Sequence, residues 1–199
     1  MEIEKRRGSY ARRTAETDVS VVWVLDGTGE CRSDTGVGFL DHMLAQLAKH
    51  GLFDLEIKAR GDLDVDGHHT IEDVAIALGR ALDSALGDRK GLSRFGDSLV
   101  PMDEALARVS VDLGGRGRAV VVAELSELGA GGFRGEMVGH FLDSFATEAR
   151  ITLHADVIRG ENDHHKIEAL FKALARALDD ASRLDPRRLG SVPSTKGVL

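Results

Sequence analysis

Histidine and glutamate residues recur in this sequence at a spacing that suits metal coordination. Of the eight histidines, four form two adjacent pairs, and a glutamate follows each pair at the same distance. The two segments are His68-His69-Thr70-Ile71-Glu72 and His164-His165-Lys166-Ile167-Glu168. Imidazole and carboxylate groups are ligands for Zn, Mn, Fe, Co and Ni, and no cysteine accompanies them to favour a structural zinc. The repeated pattern therefore predicts a metal site.

Helical geometry indicates how each segment would present its ligands. Successive residues of an α-helix are rotated by about 100°, so His68 and Glu72 share one face while His69 points to one side. The second segment repeats this arrangement, and symmetry then predicts two metal ions. One ion would be held by His68, Glu72 and His165, the other by His164, Glu168 and His69, with His140 and His42 available as fourth ligands.

The elements that position these residues are themselves repeated. The two His-His segments start 96 positions apart, and the strand-like Leu55–Lys58 aligns with Ile151–His154 at the same offset. The chain is therefore interpreted as a tandem duplication with its join near residues 90–100. We expect a first repeat over 1–97, a second over 98–186 and an irregular tail over 187–199, in one compact unit.

Each repeat has the pattern of an α+β unit with a β-sheet and two helices. Helices are predicted at 39–50, 68–86, 135–149 and 163–183. Strands are predicted at Asp18–Leu25, just before Phe39, at Leu106–Leu113 and at Ala119–Leu125, besides the two aligned strands.

Composition excludes several classes of protein. The chain has 26 Lys and Arg against 33 Asp and Glu, a net charge of −7, which argues against a general nucleic-acid-binding surface. No stretch approaches the roughly 20 apolar residues that span a bilayer. The single Cys31 cannot form an internal disulfide, which fits a reducing compartment. We expect a cytoplasmic protein with neither nucleic-acid nor membrane partners.

Four segments closely resemble the imidazoleglycerol-phosphate dehydratases of histidine biosynthesis, in their monofunctional form. They are Phe39–Leu44, His68–Asp73, His164–Lys172 and Pro193–Gly197. The resemblance implies a duplicated half-domain of the ribosomal protein S5 domain 2-like type, with the helices packed between two sheets. It also implies a homo-oligomer, a 24-mer, with active sites at subunit interfaces.

The activity implied by this resemblance is that of a dimanganese hydro-lyase. It would convert D-erythro-imidazole-glycerol phosphate, a small phosphorylated imidazole, into imidazole-acetol phosphate and water. Two Mn²⁺ per active site would hold the substrate ring as an imidazolate, whose electrons expel the neighbouring hydroxyl and leave a diazafulvene-like intermediate. One manganese would take His42, His69, His164 and Glu168, and the other His68, Glu72, His140 and His165.

Other residues are assigned to proton transfer and substrate binding. Glu16 matches a substrate-contacting glutamate of the family and is the first candidate for proton transfer; Asp103 is the second, and the metal ligand Glu168 is counted with them as catalytic. His50 and Lys172 match further positions that contact substrate. The phosphate requires fixed cations and hydroxyl donors, which are predicted to be Arg94, Arg116, Ser194, Thr195 and Lys196.

Two other functions remain open on the residues alone. A two-metal phosphoester hydrolase would bind paired ions, but such sites usually use several aspartates, and none is present among the motif ligands. A metal storage or sensor module would bind metal without needing the arginines. An assay for imidazole-acetol phosphate separates all three.

Overall fold

The computed structural model describes residues 5–197 and contains two four-stranded sheets and four long helices. The first half comprises β1 (Arg7–Arg13), β2 (Thr17–Val24), β3 (Cys31–Asp34), α1 (Gly38–Gly51), β4 (Asp54–Gly61) and α2 (His68–Leu86). The second comprises β5 (Phe95–Met102), β6 (Ala105–Asp112), β7 (Arg118–Val122), α3 (Gly135–Glu148), β8 (Thr152–Arg159) and α4 (Asp163–Ser182).

The two sheets have the same topology. Their strand orders are β1-β2-β4-β3 and β5-β6-β8-β7. Only the β3–β4 and β7–β8 pairs are parallel among these strands. In β2 the alternating residues Val19, Val21 and Trp23 are buried, so one face of the sheet packs on the core. The predicted duplication of an α+β half-domain is confirmed.

The helices lie between the sheets, as predicted. Helix α2 packs on β1 and β2, and α4 packs on β5 and β6. Across the middle, α1 packs against α4 and α2 against α3, so each helix pair joins one helix from each half. The shared core between them is rich in aromatic side chains, including Phe133, Phe141 and Phe171. This pairing of helices places residues from distant parts of the sequence together.

The observed helices match the predicted ranges to within one residue at each end. Two strands, β1 and β5, were not predicted. Both are edge strands with few buried apolar side chains, so they lack the alternating pattern of a half-buried strand. Instead, each contains a glycine that faces a helix: a Cβ on Gly8 would overlap the carbonyl oxygen of Ala81, and one on Gly96 that of Ala177.

The offset between the halves is not uniform. β4 starts at Asp54 and β8 at Thr152, 98 positions apart, whereas the His-His pairs are 96 apart. The strand alignment predicted at offset 96 is therefore displaced by two residues, because the connection from β8 to α4 is shorter than that from β4 to α2. The inward-facing positions are unaffected, since side chains alternate with a period of two. The predicted repeat boundary after residue 97 lies within β5.

The tail begins with a short 3-10 turn at Pro186–Arg188 and is irregular from there to residue 197. It is tied to the loop before β5: the amide of Gly91 donates to the carbonyl of Ser191 (2.9 Å). The last two predicted tail residues, 198 and 199, lie outside the described range. None of the helices within residues 5–197 is both long and apolar enough to cross a membrane.

Candidate active site

The pairing of α1 with α4 assembles a first cluster of possible metal ligands, His42, His164 and Glu168. The Nε2 atoms of both histidines lie 3.2 Å from Oε2 of Glu168, and the three ligand atoms are all within 4.8 Å of one another. Glu168 is only 5% exposed. Burying a carboxylate is costly unless it is paired, so this position favours a cation.

The pairing of α2 with α3 assembles the equivalent second cluster, His68, Glu72 and His140. Nε2 of His68 lies 3.9 Å from Oε2 of Glu72, and Nε2 of His140 lies 3.3 Å from Oε1. That nitrogen of His140 is buried and, among residues 5–197, has no hydrogen-bond partner, since the carboxylate is not aligned to accept from it. A buried nitrogen left unpaired beside a carboxylate fits a divalent cation between them.

Helices α2 and α4, which begin at the His-His pairs, each have a side-chain hydrogen bond to the backbone of their first turn. Asn162 accepts a hydrogen bond from the amide of His164 (2.9 Å), and Asp66 accepts one from the amide of His68 (2.8 Å). Gly67, which has no side chain to cap α2, is thus compensated by the preceding aspartate. These caps fix the first turn, which carries the first ligand of each cluster.

The second histidine of each pair points elsewhere. Nδ1 of His69 lies 3.0 Å from Asp62 and 3.8 Å from Glu16. Nδ1 of His165 lies 2.7 Å from Glu104, and its Nε2 lies 3.7 Å from Asp103. Within the described part of the chain, neither histidine joins either cluster. Each cluster therefore offers three of its four predicted ligands, and the full pairing stays a prediction.

Carboxylates determine the charge of these two histidines. The hydrogen bond to Asp62 raises the pKa of His69, and the one to Glu104 raises the pKa of His165. Glu104 also accepts from the amides of Glu161 and Asn162 (3.1 and 2.9 Å). These amides and His165 lower the pKa of Glu104 to about 2. Glu104 is consequently ionised throughout the neutral range.

The predicted substrate residues His50 and Lys172 lie beside the first cluster. The ammonium group of Lys172 is 2.6 Å from Oε1 of Glu168. Burial raises the pKa of Glu168, but Lys172 and His42 outweigh it, and the net effect lowers the pKa. Burial and the nearby Lys172 charge together lower the pKa of His50, which favours its neutral form. His50 contacts Gln46 through Nε2 (3.1 Å).

The five residues predicted to bind phosphate line one cavity of about 340 Å³. It is lined by Arg94, Arg116, Ser194, Thr195 and Lys196, together with Gly114, Gly115 and Arg150. Asp112 holds Arg94 in place through two contacts (2.7 and 3.1 Å), and Arg94 also donates to the carbonyl of Pro193 (2.6 Å). Fixed guanidinium groups, an ammonium and hydroxyls are the donors that suit a phosphate dianion.

Sequence reasoning missed four residues of this region. They are Asp62, Glu104, Gln46 and Arg150. Glu104 had a detectable signal, since β2 and β6 start 88 positions apart and Glu16 and Glu104 immediately precede them. Gln46 lies midway between His42 and His50 on one helical face. Asp62 and Arg150 carry no motif that marks them.

Known proteins resemble this chain over nearly its whole length. A family model described as Imidazoleglycerol-phosphate dehydratase matches residues 35–178. A protein of that name from Chloroflexus aggregans is 57% identical over 196 residues, which cover 98% of this chain and 96% of that protein. One from Dehalococcoides mccartyi is 56% identical over 195 residues, 98% of either chain.

Solved structures of such dehydratases share the fold. The one from Staphylococcus aureus superimposes with a TM-score of 0.78 at 40% identity, covering 89% of this chain and 99% of the other. The one from Pyrococcus furiosus gives 0.82 at 36% identity, covering 96% and 100%. This chain therefore belongs to the imidazoleglycerol-phosphate dehydratase family.

Proposed function

We propose that the protein dehydrates D-erythro-imidazole-glycerol phosphate to imidazole-acetol phosphate in histidine biosynthesis. The observation that carries this proposal is the pair of matching His-Glu-His clusters, one on α1 and α4 and one on α2 and α3. Two such clusters could each hold a cation that binds one of the two ring nitrogens of the substrate, which would favour the imidazolate form of the ring. The cationic cavity near the tail supports the proposal, because it offers the guanidinium, ammonium and hydroxyl donors that a phosphate group would need.

The metal ligands are assigned to two Mn²⁺ ions, each in a four-ligand site. His42, His164 and Glu168 would hold one ion together with His69, and His68, Glu72 and His140 the other together with His165. Bound divalent cations supply Lewis acidity towards the ring nitrogens of the substrate. Lys172 neutralises part of the Glu168 charge and keeps that carboxylate ionised and able to bind a cation.

The proton chemistry falls to carboxylates beside the outlying histidines. The hydrogen on the carbinol carbon is weakly acidic at first. Electrons of the imidazole ring would expel the neighbouring hydroxyl, which takes up a proton and leaves as water; a base would then remove the carbinol proton to give an enol, which tautomerises to the ketone. Glu16, beside His69, is exposed and suited to this transfer, and Asp103, beside His165, is the second candidate. Neutral His50 can hydrogen-bond to the substrate without adding charge.

A second copy of the chain would complete each centre. The outlying histidines have partly exposed side chains, 36% for His69 and 27% for His165, so they are available to another subunit. An oligomer that brings His69 of one copy to the first cluster of another satisfies the predicted pairing. We infer a homo-oligomer, a 24-mer by resemblance, working in the cytoplasm with manganese as its metal.

A coupled assay for imidazole-acetol phosphate tests the proposal. The metal-loaded protein should form the ketone, and chelation should abolish activity, which Mn²⁺ should restore. Release of inorganic phosphate without ketone would support the phosphoester hydrolase instead. Stoichiometric metal binding with no turnover of either kind would support the storage module.

A further inference from the structure

We infer that Asp73, Thr17 and Thr14 are positioning residues that hold Glu16 in place against the metal-bearing helix α2. They form a chain of hydrogen bonds in which Thr14 donates to Thr17 and Thr17 donates to Asp73. The inference rests on the proposed role of Glu16 in proton transfer.

Asp73 anchors this hydrogen-bond chain. It follows the metal ligand Glu72 on α2, and its residue is only 7% exposed. Its carboxylate accepts hydrogen bonds from the hydroxyl of Thr17 and from Nε of Arg12 (2.8 Å). A buried carboxylate needs such partners, because burial without them is costly. Asp73 thereby links α2 to both strands that flank the turn carrying Glu16.

The donor of each hydrogen bond follows from the chemistry of the groups. A carboxylate only accepts, so Thr17 gives its single hydroxyl hydrogen to Asp73. The hydroxyls of Thr17 and Thr14 lie 3.2 Å apart, and Thr14 must therefore donate to Thr17. The lone pairs of Thr14 then accept from the amides of Glu16 (3.1 Å) and Thr17 (3.0 Å). Both hydroxyl hydrogens of this hydrogen-bond chain, those of Thr14 and Thr17, are therefore engaged in hydrogen bonds.

This chain fixes the backbone that carries Glu16. The amide of Thr14 also donates to the carbonyl of Thr17 (2.9 Å), which closes the turn between β1 and β2. The Glu16 carboxylate then lies 3.8 Å from Nδ1 of His69 on the same helix α2. The turn and the metal-bearing helix are thus connected through Asp73 at a point one residue from a metal ligand.

The second half of the molecule has no equivalent of this hydrogen-bond chain at the matching positions. Ala169 occupies the position of Asp73 in α4, five residues after the first histidine of the pair. Ala105 occupies the position of Thr17 at the start of β6. Both alanines are buried, at 0% and 1% exposure. Helix α4 packs on β6 with buried alanines at these two positions, so a half-domain of this kind can form without the polar hydrogen-bond chain.

Thr17→Val tests the inference with almost no change in shape. Removal of the hydroxyl frees the Glu16 turn, and a displacement on the ångström scale can cost up to about a hundredfold in rate. We expect kcat to fall about tenfold or more, with KM and manganese content within about twofold of wild type. Thr17→Ser keeps the hydroxyl and should restore most of kcat. If Thr17→Val fails to fold, Thr14→Val paired with Thr14→Ser replaces it.

Thr70→Val is the matched control. Thr70 lies on the same helix at 0% exposure, and within the described residues its hydroxyl has no hydrogen-bond partner. This variant should keep kcat. An equal loss of kcat in Thr70→Val and Thr17→Val would overturn the inference, because general repacking would then account for both.

Glu16→Gln, assayed alongside, separates the inference from the function on which it rests. A low kcat in Glu16→Gln with a wild-type kcat in Thr17→Val overturns the positioning role and leaves the role of Glu16 standing. A fully active Glu16→Gln overturns both. A low kcat in both, with rescue by Thr17→Ser, supports both.

Discussion

One carboxylate hydrogen bond is the largest cause of the raised pKa of each outlying histidine, and it would make metal binding through these histidines sensitive to pH. Asp62 and Glu104 each accept a hydrogen bond from Nδ1, which directs Nε2 outward as the remaining possible ligand. The same contact raises the histidine pKa. The same hydrogen bond therefore orients the imidazole for a metal and, by raising its pKa, favours the proton that competes with that metal.

Manganese affinity should weaken as the pH falls, and the loss should begin above the ordinary histidine pKa of 6.5. A histidine with a raised pKa is protonated at higher pH, and a protonated imidazole cannot bind a metal. Glu104→Gln should lower the pKa of His165 and shift the midpoint of this loss to lower pH. Manganese titrations at several pH values measure it. The exposed Asp97→Asn on β5 is the control, and an equal shift in both variants would refute the specific effect.

Of the three arginines that line the proposed phosphate cavity, Arg94 and Arg116 differ in how firmly they are held. Arg94 bonds to Asp112 and Pro193, whereas the Arg116 side chain is 72% exposed and lies 3.7 Å from Asp112. A charge-assisted contact contributes about 1.5–3 kcal/mol, or roughly tenfold or more in affinity. Arg116→Gln should therefore raise KM about tenfold without lowering Tm, whereas Arg94→Gln should affect both.

Steady-state kinetics and thermal unfolding of the two variants measure this difference. Arg118→Gln removes a neighbouring exposed arginine that does not line the cavity, and it should leave KM unchanged. An unchanged KM in Arg116→Gln would remove that residue from the phosphate site.

At the scale of elements, close approach to an edge strand holds α2 and α4, the two helices that carry the His-His pairs, in place. Gly8 of β1 lies against the backbone of α2, and Gly96 of β5 lies against that of α4. The absence of a side chain at each position lets the helix backbone approach the strand. Helix α4 carries both His164 and Glu168, so the spacing at Gly96 bears directly on the first cluster.

Gly96→Ala should destabilise the protein by about 1–3 kcal/mol, because the added methyl group overlaps helix backbone that cannot move cheaply. Urea unfolding of the metal-free protein measures the free energy. Gly139→Ala is the control: a methyl group added to that helical glycine would meet no atom within 4 Å outside its chain neighbours and the backbone of its own helix. Alanine there should be neutral or stabilising by up to about 1 kcal/mol. Equal stabilities for the two variants would contradict the packing argument.

At the scale of the whole molecule, the two halves provide matching parts that a single chain does not unite. Each helix pair brings three ligands together, and the fourth predicted ligand of each set lies with its own carboxylate elsewhere. In a symmetric oligomer every copy makes the same contacts, so a contact that brought His69 to one first cluster would bring it to all of them, and the same holds for His165 and the second cluster.

Co-assembly of two inactive variants should restore activity if His69 comes from another copy. In a mixture of His69→Ala and Glu168→Gln chains, some sites combine the intact His69 of one with the intact cluster of the other. Random pairing gives roughly a quarter of such sites. Differently tagged chains, co-expressed and purified together, measure the recovery against each variant alone. Confirmed co-assembly with no recovery would place His69 and Glu168 within one chain.

The sequence by itself determined the repeated architecture and the residue types of the site. Its two His-His-x-x-Glu segments begin helices, and helical periodicity located all four helices to within one residue. These features are local, because a hydrophobic pattern of period 3.6 and a capped first turn are properties of neighbouring residues. The edge strands β1 and β5 were not predicted, because they contact the helices through glycines rather than through a row of apolar side chains.

Only the tertiary structure decided which ligands meet. Helical angles alone separate His69 from His68, but they do not reveal that α1 packs on α4 and α2 on α3, which brings His42 to Glu168 and His140 to Glu72. Nor does the sequence mark Asp73 as the buried anchor of the Glu16 turn, since its partners are 56 and 61 positions away. Contacts of this kind depend on how layers pack, and packing brings together residues whose separation in sequence carries no signal.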